Sequence, residues 1–239
     1  MKRPGVKNSP PERALIVGAG SGLSAALVRL LCSEGFTVAA AARDVAKLSE
    51  LSDETGAKLY QCDAAIPEDV SKLFSRFSEE VGPPTLVVYN ASSRTKGSIA
   101  EIAADAALNG LLVSCYGGFL VGQAAAQSML ASKSGSIFFT GASASIKGYA
   151  GSAPFAMGKF GLRGLAQSMA RELAPKNIHV GHIIVDGAIA ETGNPEPAIR
   201  RPDDMLEPSS VAETYLQLHR QHRSAWTWEL EVRPWVEAF

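Results

Sequence analysis

Two groups of residues in this chain have the types and spacing to do chemistry. The first is Gly18-Ala19-Gly20-Ser21-Gly22-Leu23-Ser24, which follows the short apolar run 14–17. Glycines at the end of a strand let the backbone turn tightly and approach a pyrophosphate, whose charge then rests on the N-terminus of the next helix. The second is Lys159, one helical turn after Phe155 and on the same helix face. An ammonium can hold charge or pass a proton, whereas the benzyl ring of Phe155 has no proton to give. Ala156, Gly158, Gly161 and Gly164 flank the lysine. Each glycine inside a helix costs ~1 kcal/mol against alanine, so this run points to close packing at Lys159 and away from a solvated helix surface.

A third candidate ends the run 37–41, which continues Ala42-Arg43. An NAD site usually carries an acid here for the ribose 2′-hydroxyl, and none is present. Arg43 either pairs with a 2′-phosphate and stacks on adenine, or is a solvated arginine at a loop. The first alternative makes the cofactor NADP in preference to NAD.

These residues need a scaffold that sets strand ends side by side. The apolar patterning predicts strands over 14–17, 37–41, 58–61, 85–89, 136–140, 179–185 and 227–232. Helices are predicted over 22–33, 45–55 with Asp44 as N-cap, 67–81 opened by Pro67, 99–132 with a break near Asn109-Gly110, 153–173 and 209–220. Strict alternation implies an α/β doubly wound Rossmann fold, with about seven mostly parallel strands and helices on both faces. No repeat or linker divides the chain, so residues 1–239 are read as one nucleotide-binding domain. Ligands in such a sheet sit at the carboxyl ends of the strands, where each candidate above falls.

Composition narrows the classes. Hydrophobic residues make up 46% and charged ones 20% of 239 residues, ordinary for a globular domain of this size. A net charge of −1 argues against a nucleic-acid partner. Cys32, Cys62 and Cys115 form neither a C-x-x-C pair nor an even set, so they are read as free thiols in a reducing cytoplasm, with no metal site. Residues 1–13 are polar, Pro-rich and expected to be flexible, with no apolar signal segment. No uninterrupted apolar run reaches the ~20 residues of a membrane span.

From 14 to 190 the chain resembles the short-chain dehydrogenase/reductases. The glycine loop is similar to their G-x-x-x-G-x-G, with Ser24 at the last glycine. Cys62-Asp63 is similar to their C/D pair, and Tyr89-Asn90-Ala91-Ser92 to N-N-A-G. Asp186-Gly187-Ala188-Ile189-Ala190-Glu191-Thr192 is similar to P-G-x-x-x-T. The resemblance implies that Gly18, Gly20, Ser21, Gly22 and Leu23 cradle the cofactor pyrophosphate and that Asp63 accepts the adenine amine. It implies further that Asn90 and Ala91 shape the nicotinamide ribose site, Lys159 bonds that ribose, and Gly187 and Ile189 face the carboxamide.

The family's catalytic set is Asn-Ser-Tyr-Lys. Lys159 matches the lysine, but Phe155 stands at the tyrosine, as in a divergent branch. Ala142 stands at the serine, and a shift of one residue would present Ser143. Ser114 aligns with the asparagine. Tyr149, or Lys159 through a water, are substitute acids. His179 and His182 are read as structural. Residues 193–208, with Arg200, Arg201, Asp203 and Asp204, would form the substrate-side loop. Residues 224–239 form a C-terminal strand and tail whose Trp228, Trp235 and Phe239 pack on a second subunit or back on the chain's own core. The implied function is an NADP(H)-dependent oxidoreductase acting on a small carbonyl or alcohol with atypical proton transfer. It would be cytoplasmic and a homodimer or homotetramer. The alternative is a catalytically impaired nucleotide-binding protein, either a cofactor sensor or an interaction subunit.

Overall fold

Seven short apolar segments line up as one parallel sheet. In the computed structural model, which describes residues 11–190 and 203–237, these are β1 (Arg13–Val17), β2 (Thr37–Ala42), β3 (Lys58–Gln61), β4 (Leu86–Tyr89), β5 (Gly135–Thr140), β6 (Ile178–Val185) and a last strand, Glu229–Val232. A separate pair, β7 (Ala188–Ile189) with β8 (Met205–Leu206), makes the last strand β9. The sheet order is β3-β2-β1-β4-β5-β6-β9. Every neighbouring pair is parallel. Such a sheet must be covered on both faces, which is why β1 and β4 are apolar at almost every position and buried.

Helices α1 (Leu23–Ser33), α2 (Ser49–Thr55) and α7 (Pro208–His219) cover one face, with Leu27, Val28, Leu31, Val211 and Tyr215 in that core. Helices α3 (Pro67–Glu80), α5 (Gly117–Ser132) and α6 (Ala153–Leu173) cover the other, around Phe77, Val121, Met129, Leu162 and Tyr89. The register sets the site. Val17 pairs with both Ala41 and Tyr89, and Ala41 pairs in turn with Tyr60. Gly18, Ala42, Gln61 and Asn90 therefore emerge level at one edge.

The predicted break near Asn109-Gly110 is absent. Helix α4 (Ala104–Leu111) continues through a single π turn, Leu112–Tyr116, into α5. The wide turn has a visible cause. The Tyr89 hydroxyl donates to the Val113 carbonyl, giving that group a partner outside the helix. Gly117 admits the approach, since a Cβ there would lie 2.8 Å from the Ala64 carbonyl oxygen. By length and composition the run Ala104–Ser132 could cross a bilayer. Here Val121, Ala125 and Met129 are fully buried against the sheet, as in a core helix.

Other boundaries also differ. The helix predicted from 45 opens as a 3₁₀ turn, Ala46–Leu48, with Asp44 accepting the Ala46 N–H at 3.2 Å. The stretch 193–208 is not loop throughout, because Met205–Leu206 pairs with Ala188–Ile189; residues 193–202 lie outside the described set. Arg13, read as part of a flexible terminus, opens β1, while residues 1–10 are not described. In the tail, Trp228 lies under the Arg163 guanidinium and Pro234 packs against Gly187. Trp235 does not return to the core, being 82% exposed, and Phe239 lies outside the described residues.

Candidate active site

At the carboxyl edge, a cavity of about 260 Å³ brings together Gly18, Arg43, Asp63, Asn90 and Ala91. Gly18 has φ +84° and donates its N–H to Ala41. A side chain there would overlap the Ala91 backbone, so β1 and the loop after β4 meet only at a glycine. Asn90 donates its backbone N–H to Val17 at 2.8 Å. Its side-chain amide donates to Ser24 Oγ at 2.7 Å, and that hydroxyl donates to the Gly18 carbonyl at 3.4 Å. Ser24 is thus more than a small residue in a glycine's place, since it ties the glycine turn to Asn90. The residue pattern showed the serine but not this bond.

Asp63 is half-buried. Its carboxylate accepts the Ala65 N–H at 3.0 Å, and its own N–H donates to Asp69 at 3.1 Å. Burial, then the charges of Asp69 and Asp63, push the Cys62 thiol up to about 12, so it stays neutral. Arg43 is exposed, with no hydrogen bond or ion pair among the described residues. Gly20 and Ser21 are exposed beside the cavity, and Gly22 and Leu23 are buried where α1 begins. Ser21 and Gly22 line a larger groove of about 700 Å³ between α1 and α7. Its Arg29 is already paired with Glu54 at 2.8 Å. Gly187 and Ile189 lie apart from the cavity, the first against Pro234 and the second in the β7–β8 pair.

A second cluster forms where α6 crosses the π turn. Lys159 is buried and its Nζ donates to the Thr140 carbonyl at 2.8 Å. Burial, followed by the nearby Arg94 charge, lowers the ammonium to about 8. The Phe155 ring centroid lies 5.9 Å from Nζ. The Arg94 guanidinium stands over the same ring at 4.7 Å. No motif marks Arg94, which sits in irregular backbone after β4. Ser114 is fully buried, and its hydroxyl accepts the Ser93 N–H at 3.0 Å and donates to the Ser93 carbonyl at 3.4 Å. It reaches there because Gly158 has no Cβ, which would stand 2.7 Å from that of Ser114. Gly161 faces the Cys115 sulfur in the same way, whereas Gly164 has nothing within 4 Å and is not required by packing.

Ser143 and Ser145, which both follow Ala142, differ in their partners. Ser145 Oγ accepts the Ala142 N–H at 3.1 Å and lies 3.3 Å from His182 Nε2. His182 Nδ1 is 3.0 Å from Glu229, which Arg163 clamps through two bonds of 2.6 and 2.7 Å. Burial lowers His182 to about 4, so the neutral ring donates to Glu229 and accepts from Ser145. Ser145 is therefore committed to the fold. Ser143 opens the 3₁₀ turn Ser143–Ser145, half-buried, and its hydroxyl has no partner among the described residues. His179 is structural as expected, stacked on Trp226 and bonded to the Thr227 carbonyl at 2.9 Å. Tyr149 is half-exposed in the loop before α6.

Comparison with known proteins gives consistent matches. The family model described as short chain dehydrogenase matches residues 12–197. A short-chain dehydrogenase from Rhodopseudomonas palustris is 36% identical, with 95% of this chain and 100% of that chain covered and a TM-score of 0.81. A metagenomic short-chain oxidoreductase solved in complex with NADP is 25% identical, covers 95% and 98%, and has a TM-score of 0.81. An uncharacterized oxidoreductase of Staphylococcus aureus (strain MRSA252) is 28% identical over 230 residues, 92% of this chain and 96% of the relative.

Proposed function

The chain belongs to the short-chain dehydrogenase family, and from that premise we propose that it is an NADP(H)-dependent oxidoreductase acting on a small carbonyl or alcohol. In this reading all 239 residues serve one nucleotide-binding domain. The observation that carries it is the cavity joining Gly18, Arg43, Asp63, Asn90 and Ala91. The cradle fits a dinucleotide: a glycine that no side chain can replace at the turn, a carboxylate oxygen on Asp63 beyond the one held by Ala65, and a guanidinium at the end of β2 with no partner among the described residues. The NADP held by the metagenomic neighbour supports the same assignment.

Gly18, Gly20, Ser21, Gly22 and Leu23 would hold the pyrophosphate, Arg43 the 2′-phosphate, Asp63 the adenine, and Asn90, Ala91 and Lys159 the nicotinamide ribose. Gly187 and Ile189 would face the carboxamide. When bound, NADPH supplies the hydride that reduces a carbonyl carbon. Ser143 donates its hydroxyl to the carbonyl oxygen. Lys159, with its ammonium near 8, holds at Nζ the proton that neutralises the new alkoxide through a water and is recharged from solvent. Phe155 stands at the family's tyrosine and walls the site. Ser114 stands at the asparagine, but with its donor spent on Ser93 it holds backbone. Assembly as a homodimer or homotetramer belongs to this reading, since Tyr116 and Phe119 stack on each other at an exposed face.

Thermal shift against NADPH and NADH tests the assignment. A ligand at 100 times its Kd adds ~2.7 kcal/mol, so NADPH should raise Tm clearly and NADH less. Absence of a shift with either cofactor, in both redox states, would overturn the reading. Arg43→Ala should weaken NADPH about 10- to 100-fold, through loss of a charge-assisted fork to phosphate, and leave NADH within about twofold. Equal losses for both would remove Arg43 from the 2′-phosphate.

A further inference from the structure

We propose that Arg94 anchors a carboxylate on the substrate, so that the carbonyl compound reduced here is a small oxo acid and the reverse substrate its hydroxy acid. The reaction itself rests on the oxidoreductase reading above; the anchor rests on geometry of its own. The guanidinium carbon of the exposed Arg94 lies over the Phe155 ring, 4.7 Å from its centroid. The guanidinium makes no hydrogen bond or ion pair with any described residue. A guanidinium seated over an aromatic ring can still receive a carboxylate through two parallel N–H bonds.

The loop that carries it is held in place. Ser93, next to it, has both backbone groups bonded to the buried Ser114 hydroxyl. Asn90 is bonded to Val17 on one side, and Gly97 donates to Gly151 on the other at 3.0 Å. Arg94 itself is exposed, and these bonds fix the backbone that presents it. Lys159 lies by the same ring, with Nζ 5.9 Å from its centroid. Its ammonium is destabilised by the Arg94 charge, and an anion seated on Arg94 relieves that repulsion. Two cations by one aromatic ring, without an acid bonded to Arg94 among the described residues, thus form a site that would take a negative charge. One guanidinium edge matches a carboxylate; a phosphate dianion would call for further donors around it.

Isothermal titration calorimetry on the full chain, with and without NADPH, tests the anchor. The probes are pyruvate, acetoacetate and phenylpyruvate, each beside its methyl ester, and inorganic phosphate. At least one acid should bind tenfold or more tighter than its ester. Arg94→Ala and Arg94→Gln should weaken that acid about 10- to 100-fold and bring it level with the ester. Arg94→Lys should recover part of the loss, while Lys72→Ala, which removes an exposed charge on α3, should change nothing. The proposal falls if no acid binds, if acid and ester bind alike, if Arg94→Ala leaves the acid unaffected, or if phosphate binds tighter than every acid through Arg94. Acid binding that depends on Arg94 in a protein that ignores NADPH would keep the anchor and sink the oxidoreductase reading. Where turnover is seen, Arg94→Ala should raise KM for the acid alone; an equal fall in kcat for acid and ester would make Arg94 a carbonyl-polarising group and overturn the anchor.

Discussion

Phe155→Tyr should speed carbonyl reduction by roughly 10²- to 10⁴-fold, the usual contribution of a positioned general acid. At 1.36 kcal/mol per tenfold, that is about 3–5 kcal/mol of transition-state stabilisation. The substitution adds one oxygen to a ring whose centroid already lies 5.9 Å from Lys159 Nζ and 4.7 Å from the Arg94 guanidinium. Two nearby cations favour the phenolate, so the new hydroxyl should titrate below an ordinary tyrosine. In the proposed mechanism the natural chain's proton comes through Lys159 and water, a longer route. The rate of NADPH oxidation over a carbonyl panel, wild type beside variant, checks this. Slow turnover in the wild type and fast turnover in the variant would mean a working site with a weak acid. Turnover in the variant alone would favour a nucleotide-binding protein without catalysis. A variant that binds NADPH normally yet gains nothing would place position 155 away from the reacting carbonyl.

Lys159→Met should stabilise the fold by about 2 kcal/mol at pH 7 while lowering turnover at least about 100-fold. The ammonium is buried and falls from 10.5 to about 8, which corresponds to about 3 kcal/mol of penalty on the charged form. Leaving the Thr140 carbonyl without the Lys159 bond gives back roughly 1 kcal/mol. The pH dependence carries its own sign. Below pH 8 both folded and unfolded chains hold the proton, and the full penalty is present. Between pH 8 and 10.5 the folded lysine loses its proton while the unfolded one keeps it, so the wild type gains on the variant as pH rises. Above 10.5 the penalty is gone. Denaturation curves of both proteins across that range should show the gap closing; a gap independent of pH would mean that Lys159 is not buried as an ammonium. A more stable and less active variant is the pattern expected where a functional charge is kept at the fold's expense.

The strands, the order of β and α elements and the edge where strand ends meet were legible in the residues. Short apolar runs between glycines and polar helix faces are local signals, and a strictly alternating chain has few ways to close a sheet. Gly18, Arg43, Asp63 and Asn90 could be named together because each follows a strand, and parallel register brings strand ends level. The π turn was less visible, since the hydroxyl that takes the Val113 carbonyl comes from Tyr89, on another element. Ser143 could be named as a candidate from the residues, but the tie of Ser145 to His182 and Glu229, far along the chain, could not.

The sequence by itself therefore determined the family, the doubly wound sheet and the edge on which a dinucleotide would lie. It also showed that Phe155 lacks a proton to give. Only the tertiary structure decided what stands beside that ring. Arg94 reaches Phe155, Ser114 reaches Ser93, and Ser24 reaches Asn90, each across a loop or a crossover. Periodicity reports which face of an element is buried, because burial is a property of neighbouring turns and pleats. It does not report which side chain from elsewhere meets that face, because that depends on where connecting loops return, and loop paths leave no repeating pattern in the chain.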